Sequence, residues 1–157
     1  VHLNNHQRLI LSLIVAMGLR IAPFPAVISI INPDWVILVI IYWTLRLPYQ
    51  NGVFTAWIIG LLTDVLTGRT LGEYALIYSL LSYLSIIGHK RLRQYPLLQQ
   101  SSYIFICLFI EQLWIFFIES LQNITQFSLL YWLPILTGTL MWCVVQKLLL
   151  FIRTLGR

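Results

Sequence analysis

Residues 101–121 read SSYIFICLFIEQLWIFFIESL, with Glu111 and Glu119 as the charged positions. A helix of this length and polarity crosses the roughly 30 Å hydrocarbon core of a bilayer. Upstream lies a second apolar run, Leu71–Gly88, and between the two stands His89-Lys90-Arg91-Leu92-Arg93. A short basic link between two apolar runs is the pattern of a loop held on one side of a membrane. The pair therefore sets the expected class, an all-α integral membrane protein.

Working outward, the same reading recurs. Leu129–Ile152 is apolar, with Pro134 in its first part and Lys147 near its end. Val53–Leu66 and Trp35–Leu47, the latter closed by Pro48, are shorter. At 1.5 Å per residue the run over 35–47 rises only about 20 Å. These two are expected to pack as a hairpin shielded by longer helices, or to thin the bilayer locally. Leu9–Ile31 is interrupted by Arg20, Pro23 and Pro25, and the missing proline donors predict a break near Ala22. About six spans result, over 9–31, 35–47, 53–66, 71–88, 101–121 and 129–152, in one polytopic membrane domain covering 1–157. No small-residue cleavage site follows the first run, which reads as a retained span.

Composition agrees. Of 157 residues, 59% are hydrophobic and 10% charged, against roughly 25% charged in soluble domains. The net charge of +5 does not form a face with interleaved aromatics, so nucleic-acid binding is not expected. Cys107 and Cys143 lie apart within apolar runs, which excludes a paired-cysteine zinc or redox motif. His2 and His6 have helical metal-ligand spacing but no further ligand nearby. The sequon Asn123-Ile124-Thr125 sits in an apolar context and carries no argument.

With the N-terminus cytoplasmic and six crossings, one side holds Arg8, Arg46, Lys90, Arg91, Arg93, Lys147, Arg153 and Arg157. The far side holds Arg69, with Arg20 inside the first span. This asymmetry satisfies the positive-inside rule and places both termini in the cytoplasm.

The acidic residues, Asp34, Asp64, Glu73, Glu111 and Glu119, all lie in or beside spans. Such charges face protein or water, as an ion path or as pairs that hold helices together. The second is favoured, because no acidic pair has a site-like spacing. Gly60, Asp64, Gly68 and Gly72 fall four residues apart, so a shared helical face would admit a close partner helix. Gly68 and Gly72 serve equally well in a turn. Arg69 is a candidate partner for Asp64. Depth along the two helices predicts an ion pair between Arg20 and Glu111. Asn32 and Glu73 are further groups suited to lining a pocket. No nucleophile–base set or phosphate loop is present, and neither a metal nor a cofactor is expected.

One ordered set is more specific: Asn32-Pro33-Asp34-Trp35, Tyr42-Trp43, Leu47-Pro48, Gly60-Leu61-Leu62-Thr63-Asp64-Val65-Leu66-Thr67-Gly68, Leu71-Gly72 and Tyr83-Leu84. This set, about a third of the chain, resembles the rod shape-determining MreD family of bacteria. The link Tyr49-Gln50-Asn51 is less basic than that family's. The resemblance implies a multi-pass protein of the inner membrane and a fold like the substrate-binding (S) component of energy-coupling-factor transporters. It implies a non-enzymatic part in the cell-wall elongation machinery. It also implies binding to an MreC-like single-span protein and, through it, connection to actin-like MreB filaments and to the wall glycosyltransferase and transpeptidase. Pro33, Trp35, Pro48, Gly60, Asp64, Gly68 and Gly72 are then candidates for partner binding or structure. The competing expectations are a small-molecule-binding transporter subunit and a membrane enzyme or channel using Asp64, Glu111 or Glu119.

Overall fold

The computed structural model describes residues 4–49, 52–123 and 128–154. Among them the regular structure is helical: α1 (Asn5–Ile21), α2 (Ala26–Ile31), α3 (Trp35–Arg46), α4 (Val53–Thr67), α5 (Glu73–Leu92), α6 (Leu97–Leu121) and α7 (Leu133–Thr154), with a 3-10 turn at Leu129–Trp132 before α7. His2, Gln50, Asn51, Ile124, Thr125 and Arg157 lie outside the described residues, as does the side chain of Arg153.

Each boundary has a local cause. The Gln7 Oε1 accepts the Asn4 amide at 3.0 Å at the start of α1, satisfying one orphan donor of a helix end. Ahead of Pro23 and Pro25, α1 stops at Ile21, close to the expected break. Asp34 caps α3, its carboxylate accepting the Val36 and Ile37 amides at 3.0 and 3.4 Å. Gly68 closes α4 at φ +66°, a left-handed conformation that glycine adopts without strain. Pro134 sits in the first turn of α7, where its missing donor is harmless. The fourth run is longer than expected, because α5 continues through His89, Lys90 and Arg91 to Leu92.

The centre is α3, whose residues Val36–Leu45 are all buried. It packs against α5 and α1, and less against α7. The expected hairpin of the second and third runs does not form. Instead α4 lies mainly on α5, at the edge of the bundle. The physical reason is Gly60, which lets the α4 backbone approach α5 far more closely than side chains permit.

The outside is apolar. Ile14, Phe54, Val65, Leu80, Ile106 and Leu140 are exposed large hydrophobics, a surface that lipid covers and water does not. Three stretches, Ala26–Arg46, Leu97–Leu121 and Leu129–Ile152, are long and apolar enough to cross a membrane. The long helices alternate in direction. Arg46, Arg93, Gln100 and Gln146 therefore meet at one end, here the basic end. Arg20, Asp34, Arg69, Glu111 and Tyr131 meet at the other, the cavity end.

Candidate functional site

The cavity end begins with the N-terminus of α3. Asp34 uses one oxygen to cap its helix, and Tyr78 of α5 donates its hydroxyl to the other at 2.5 Å. Arg20, from the last turn of α1, forms an ion pair with the same carboxylate. Its guanidinium also donates to the Tyr78 hydroxyl at 3.2 Å and stacks over the Tyr74 ring, 4.3 Å from the centroid. Glu111, from α6, lines the same recess as Asp34.

This corrects the expected Arg20–Glu111 pair. The carboxylate that meets Arg20 directly is Asp34, and Glu111 stands behind it as Asp34's neighbour. Matching depth along two helices found the right layer. It overlooked the start of α3, which the chain sinks to the same level.

A second cluster holds the ends of α4, α5 and α6. Arg69 bridges Glu73 and Glu119, each at 2.8 Å. Thr70 donates to Glu73 at 3.1 Å, and Tyr131 to Glu119 at 2.9 Å. Burial opposes the charge on Arg69, but the hydrogen-bonded carboxylates of Glu119 and Glu73 outweigh it. Arg69 is thus committed to these two glutamates, and the expected Asp64–Arg69 pair is corrected accordingly.

Asp64 has a different task. Its carboxylate accepts the backbone amides of Gly72, Tyr74 and Ala75 at 2.9, 2.8 and 3.4 Å. A side chain of α4 therefore satisfies the first amides of α5, where the helix dipole favours negative charge. Beside it, a Cβ on Gly60 would lie 2.4 Å from the Ala75 Cα and 2.8 Å from the Tyr74 carbonyl carbon. Gly72, at φ +101°, starts α5. The face of Gly60 and Asp64 is thus filled by α5 of the same chain. As a surface for a partner helix it is corrected, and the two residues lock α4 to α5. Gly68 and Gly72 serve the turn. Trp35 donates to Asn32 at 2.7 Å. Pro33 is buried beside Gly138 of α7, and Pro48 follows the end of α3.

Between the clusters opens a polar cavity of about 430 Å³, lined among others by Arg20, Asp34, Arg69, Glu111, Gln112 and Tyr131. Asn32 lines it as expected, whereas Glu73 does not. Reading the residues singly missed Tyr74, Tyr78, Trp114 and Tyr131. Trp114 donates to the Glu73 carbonyl at 3.0 Å. The spacing of Tyr74 and Tyr78, four apart on α5, was the available signal for a polar stripe among apolar positions. Among the described residues, no three His, Cys, Asp or Glu side chains converge as metal ligands.

The model of the family described as "rod shape-determining protein MreD" matches residues 4–152. The chain belongs to this family. A relative from Haemophilus influenzae, "Rod shape-determining protein MreD", is 33% identical over 106 residues, covering 68% of this chain and 65% of the relative. The chain thus matches less than two thirds of that relative's length. No solved structure matches the chain. The apolar exterior makes the chain an integral membrane protein. Of the quoted motif residues, Asn32, Pro33, Asp34 and Thr67 line the cavity, and Gly60 and Asp64 form the α4–α5 lock; Tyr42, by contrast, stands at the basic end.

Proposed function

We propose that this MreD-family chain is a non-catalytic membrane scaffold of the bacterial cell-wall elongation machinery. It crosses the inner membrane six times with both ends in the cytoplasm. It binds an MreC-like single-span protein, and through it links MreB filaments to the wall glycosyltransferase and transpeptidase. The observation that carries this reading is the family match over residues 4–152. The charge distribution supports the orientation: Arg46 and Arg93 meet at the basic end together with the close of α5, where Lys90 and Arg91 stand. Because the Gly60/Asp64 face is occupied internally, the partner's helix meets an outward face, such as Ile10, Ile14 and Ile21 of α1. Helices associate in lipid by packing and polar contacts, not by hydrophobic drive.

The test is deletion with microscopy, together with co-purification. Rods become spheres on deletion, and a tagged chain retains the single-span partner. Rod shape kept after deletion, with no partner retained, removes the proposal. A second reading has one observation in its favour: the polar cavity has the size of a small-molecule site. On that reading the chain is a ligand-binding membrane subunit, with a fold like the S component of energy-coupling-factor transporters. A small molecule that co-purifies and is lost on filling the cavity, with Gln112→Trp, favours it.

A further inference from the structure

The five acidic residues of the chain are all engaged at the cavity end. Asp34, Glu73 and Glu119 meet arginines, Glu111 lines the recess, and Asp64 holds the start of α5. The basic end has no carboxylate among the described residues, yet it gathers two guanidinia. Arg46, at the close of α3, and Arg93, just after α5, line one small pocket with Gln100 of α6 and with Trp142 and Gln146 of α7. Arg46 is half-buried, its guanidinium 5.8 Å from the centroid of the Tyr42 ring, and Arg93 is exposed. Neither makes an ion pair within the described residues. Two like charges on one pocket repel each other unless an anion stands between them.

The floor of the pocket is polar. Trp142 is 1% exposed, and its indole nitrogen is buried without a hydrogen-bond partner. An indole N–H only donates. Gln146 leaves an acceptor beside it. Gln100 donates its amide to the Leu92 and Tyr95 carbonyls at 2.8 and 3.1 Å, so its own oxygen is free to take the Gln146 amide at 2.9 Å. The Gln146 Oε1 is the atom left over, buried and without a partner. The pocket thus calls for an acceptor at Trp142, a donor at Gln146 and negative charge at its rim. Its volume of about 10 Å³ admits one oxygen-sized group. A water satisfies Trp142 and Gln146 but leaves the guanidinia without a counter-charge. A bare anion gives the Gln146 oxygen no donor. A hydroxyl next to a phosphate meets every demand: the hydroxyl accepts from Trp142 and donates to Gln146, and the phosphate stays at the rim on Arg46 and Arg93.

We infer that this pocket is a headgroup site for a phospholipid that carries a hydroxyl beside its phosphodiester, as phosphatidylglycerol does. The rim lies where α3 and α5 end, and basic residues that flank spans stand at the level of the lipid headgroups. The site is independent of the scaffold proposal and of the polar cavity at the opposite end. It ties α3, α5 and α7 to the membrane surface through one lipid.

The experiment follows the full chain, labelled with nitrogen-15 at tryptophan, by magnetic resonance in micelles of an uncharged detergent. The Trp142 indole signal is the one missing from Trp142→Phe. Added phosphatidylglycerol is expected to move its proton downfield, half-saturating at about tenfold lower mole fraction than phosphatidylcholine, the preference of two cations for an anionic headgroup. Phosphatidylmethanol has the same charge and no hydroxyl, and should need about fivefold more than phosphatidylglycerol, the worth of one hydrogen bond. Arg46→Gln with Arg93→Gln removes the preference over phosphatidylcholine, and Arg46→Lys with Arg93→Lys retains it. Circular dichroism of each variant confirms that the helices are intact. A Trp142 signal indifferent to phosphatidylglycerol overturns the inference, as does a preference that survives both glutamines. An equal shift from millimolar glycerol phosphate in phosphatidylcholine assigns the pocket to a soluble phosphate ester and overturns the lipid site.

Discussion

A single methyl group added at Gly60 is expected to pry α4 from α5. In Gly60→Ala the new Cβ would start 2.4 Å from the Ala75 Cα, 2.7 Å from its nitrogen and 2.8 Å from the Tyr74 carbonyl carbon. All three are backbone atoms, so no side chain can swing aside. The helices must separate by about 1 Å before the contact becomes ordinary, and overpacking of this kind costs about 1–3 kcal/mol. The same shift stretches the Asp64 bonds to Gly72 and Tyr74, now 2.9 and 2.8 Å, beyond hydrogen-bonding distance. A bond to a charged acceptor contributes about 1.5–3 kcal/mol, and relaxation recovers part of it. The expected loss is on the order of 3 kcal/mol. The control is Gly18→Ala, since a Cβ there meets nothing within 4 Å. It should be neutral, or stabilise by up to about 1 kcal/mol through helix propensity. Reversible unfolding in mixed micelles measures both. If Gly60→Ala unfolds within about 0.5 kcal/mol of the unmodified chain, close to the surface-substitution range, the α4–α5 lock is not what holds these helices.

The remaining predictions concern the two charge clusters and the turn. A double-mutant cycle of Arg20→Gln with Asp34→Asn should give a coupling of about 1–3 kcal/mol, larger than the cycle of Arg20→Gln with Glu111→Gln. The reverse order would restore Glu111 as the direct partner. Asp34→Leu alone leaves the half-buried Arg20 without its counter-ion and α3 without its cap, and should cost about 1–3 kcal/mol. A loss below about 1 kcal/mol in the same unfolding assay would mean that water already satisfies the guanidinium. Gly72→Ala, at φ +101°, should cost about 1–3 kcal/mol from backbone strain. Thermal melting that is unchanged would exclude that conformation.

The helical class and the apolar runs were legible, because bilayer thickness and run length leave few choices, but α1 and α6 start at Asn5 and Leu97 and α5 ends at Leu92, each four residues beyond its apolar run. Proline and glycine marked the ends of α1, α3 and α4 for local reasons. The clusters were half legible. That Asp64 and Gly60 share a face followed from spacing, but their neighbour did not. A small residue and a carboxylate on one face fit a foreign helix and the chain's own next helix equally well. Likewise, depth placed Arg20 level with Glu111. Only the fold shows that the N-terminus of α3 enters the same layer and brings Asp34 between them. The tyrosines of α5 left only their four-residue spacing as a signal, since an aromatic ring at an apolar position usually reads as packing.

The cavity follows from the shortness of α3. Twelve residues rise about 18 Å, well short of a roughly 30 Å core, so one end of α3 lies inside the membrane's thickness. Backbone groups exposed there cannot be left to lipid. The chain answers with Asp34 on the helix end, Arg20 and Tyr78 on Asp34, and a polar recess leading down to Glu111. Water must then reach the layer of Glu111 from the cavity end alone. This has a direct test in a chain with Cys107→Ser and Cys143→Ala. Gln112→Cys, which lines the recess, should react with a membrane-impermeant maleimide added on the cavity side. Leu113→Cys, the next residue and exposed on the apolar exterior, should resist it, because a thiol in lipid does not form the reactive thiolate. A Gln112→Cys thiol as resistant as Leu113→Cys would mean that the recess is closed to water. The Arg20–Asp34–Glu111 layer would then be a dry ion pair rather than the floor of a cavity.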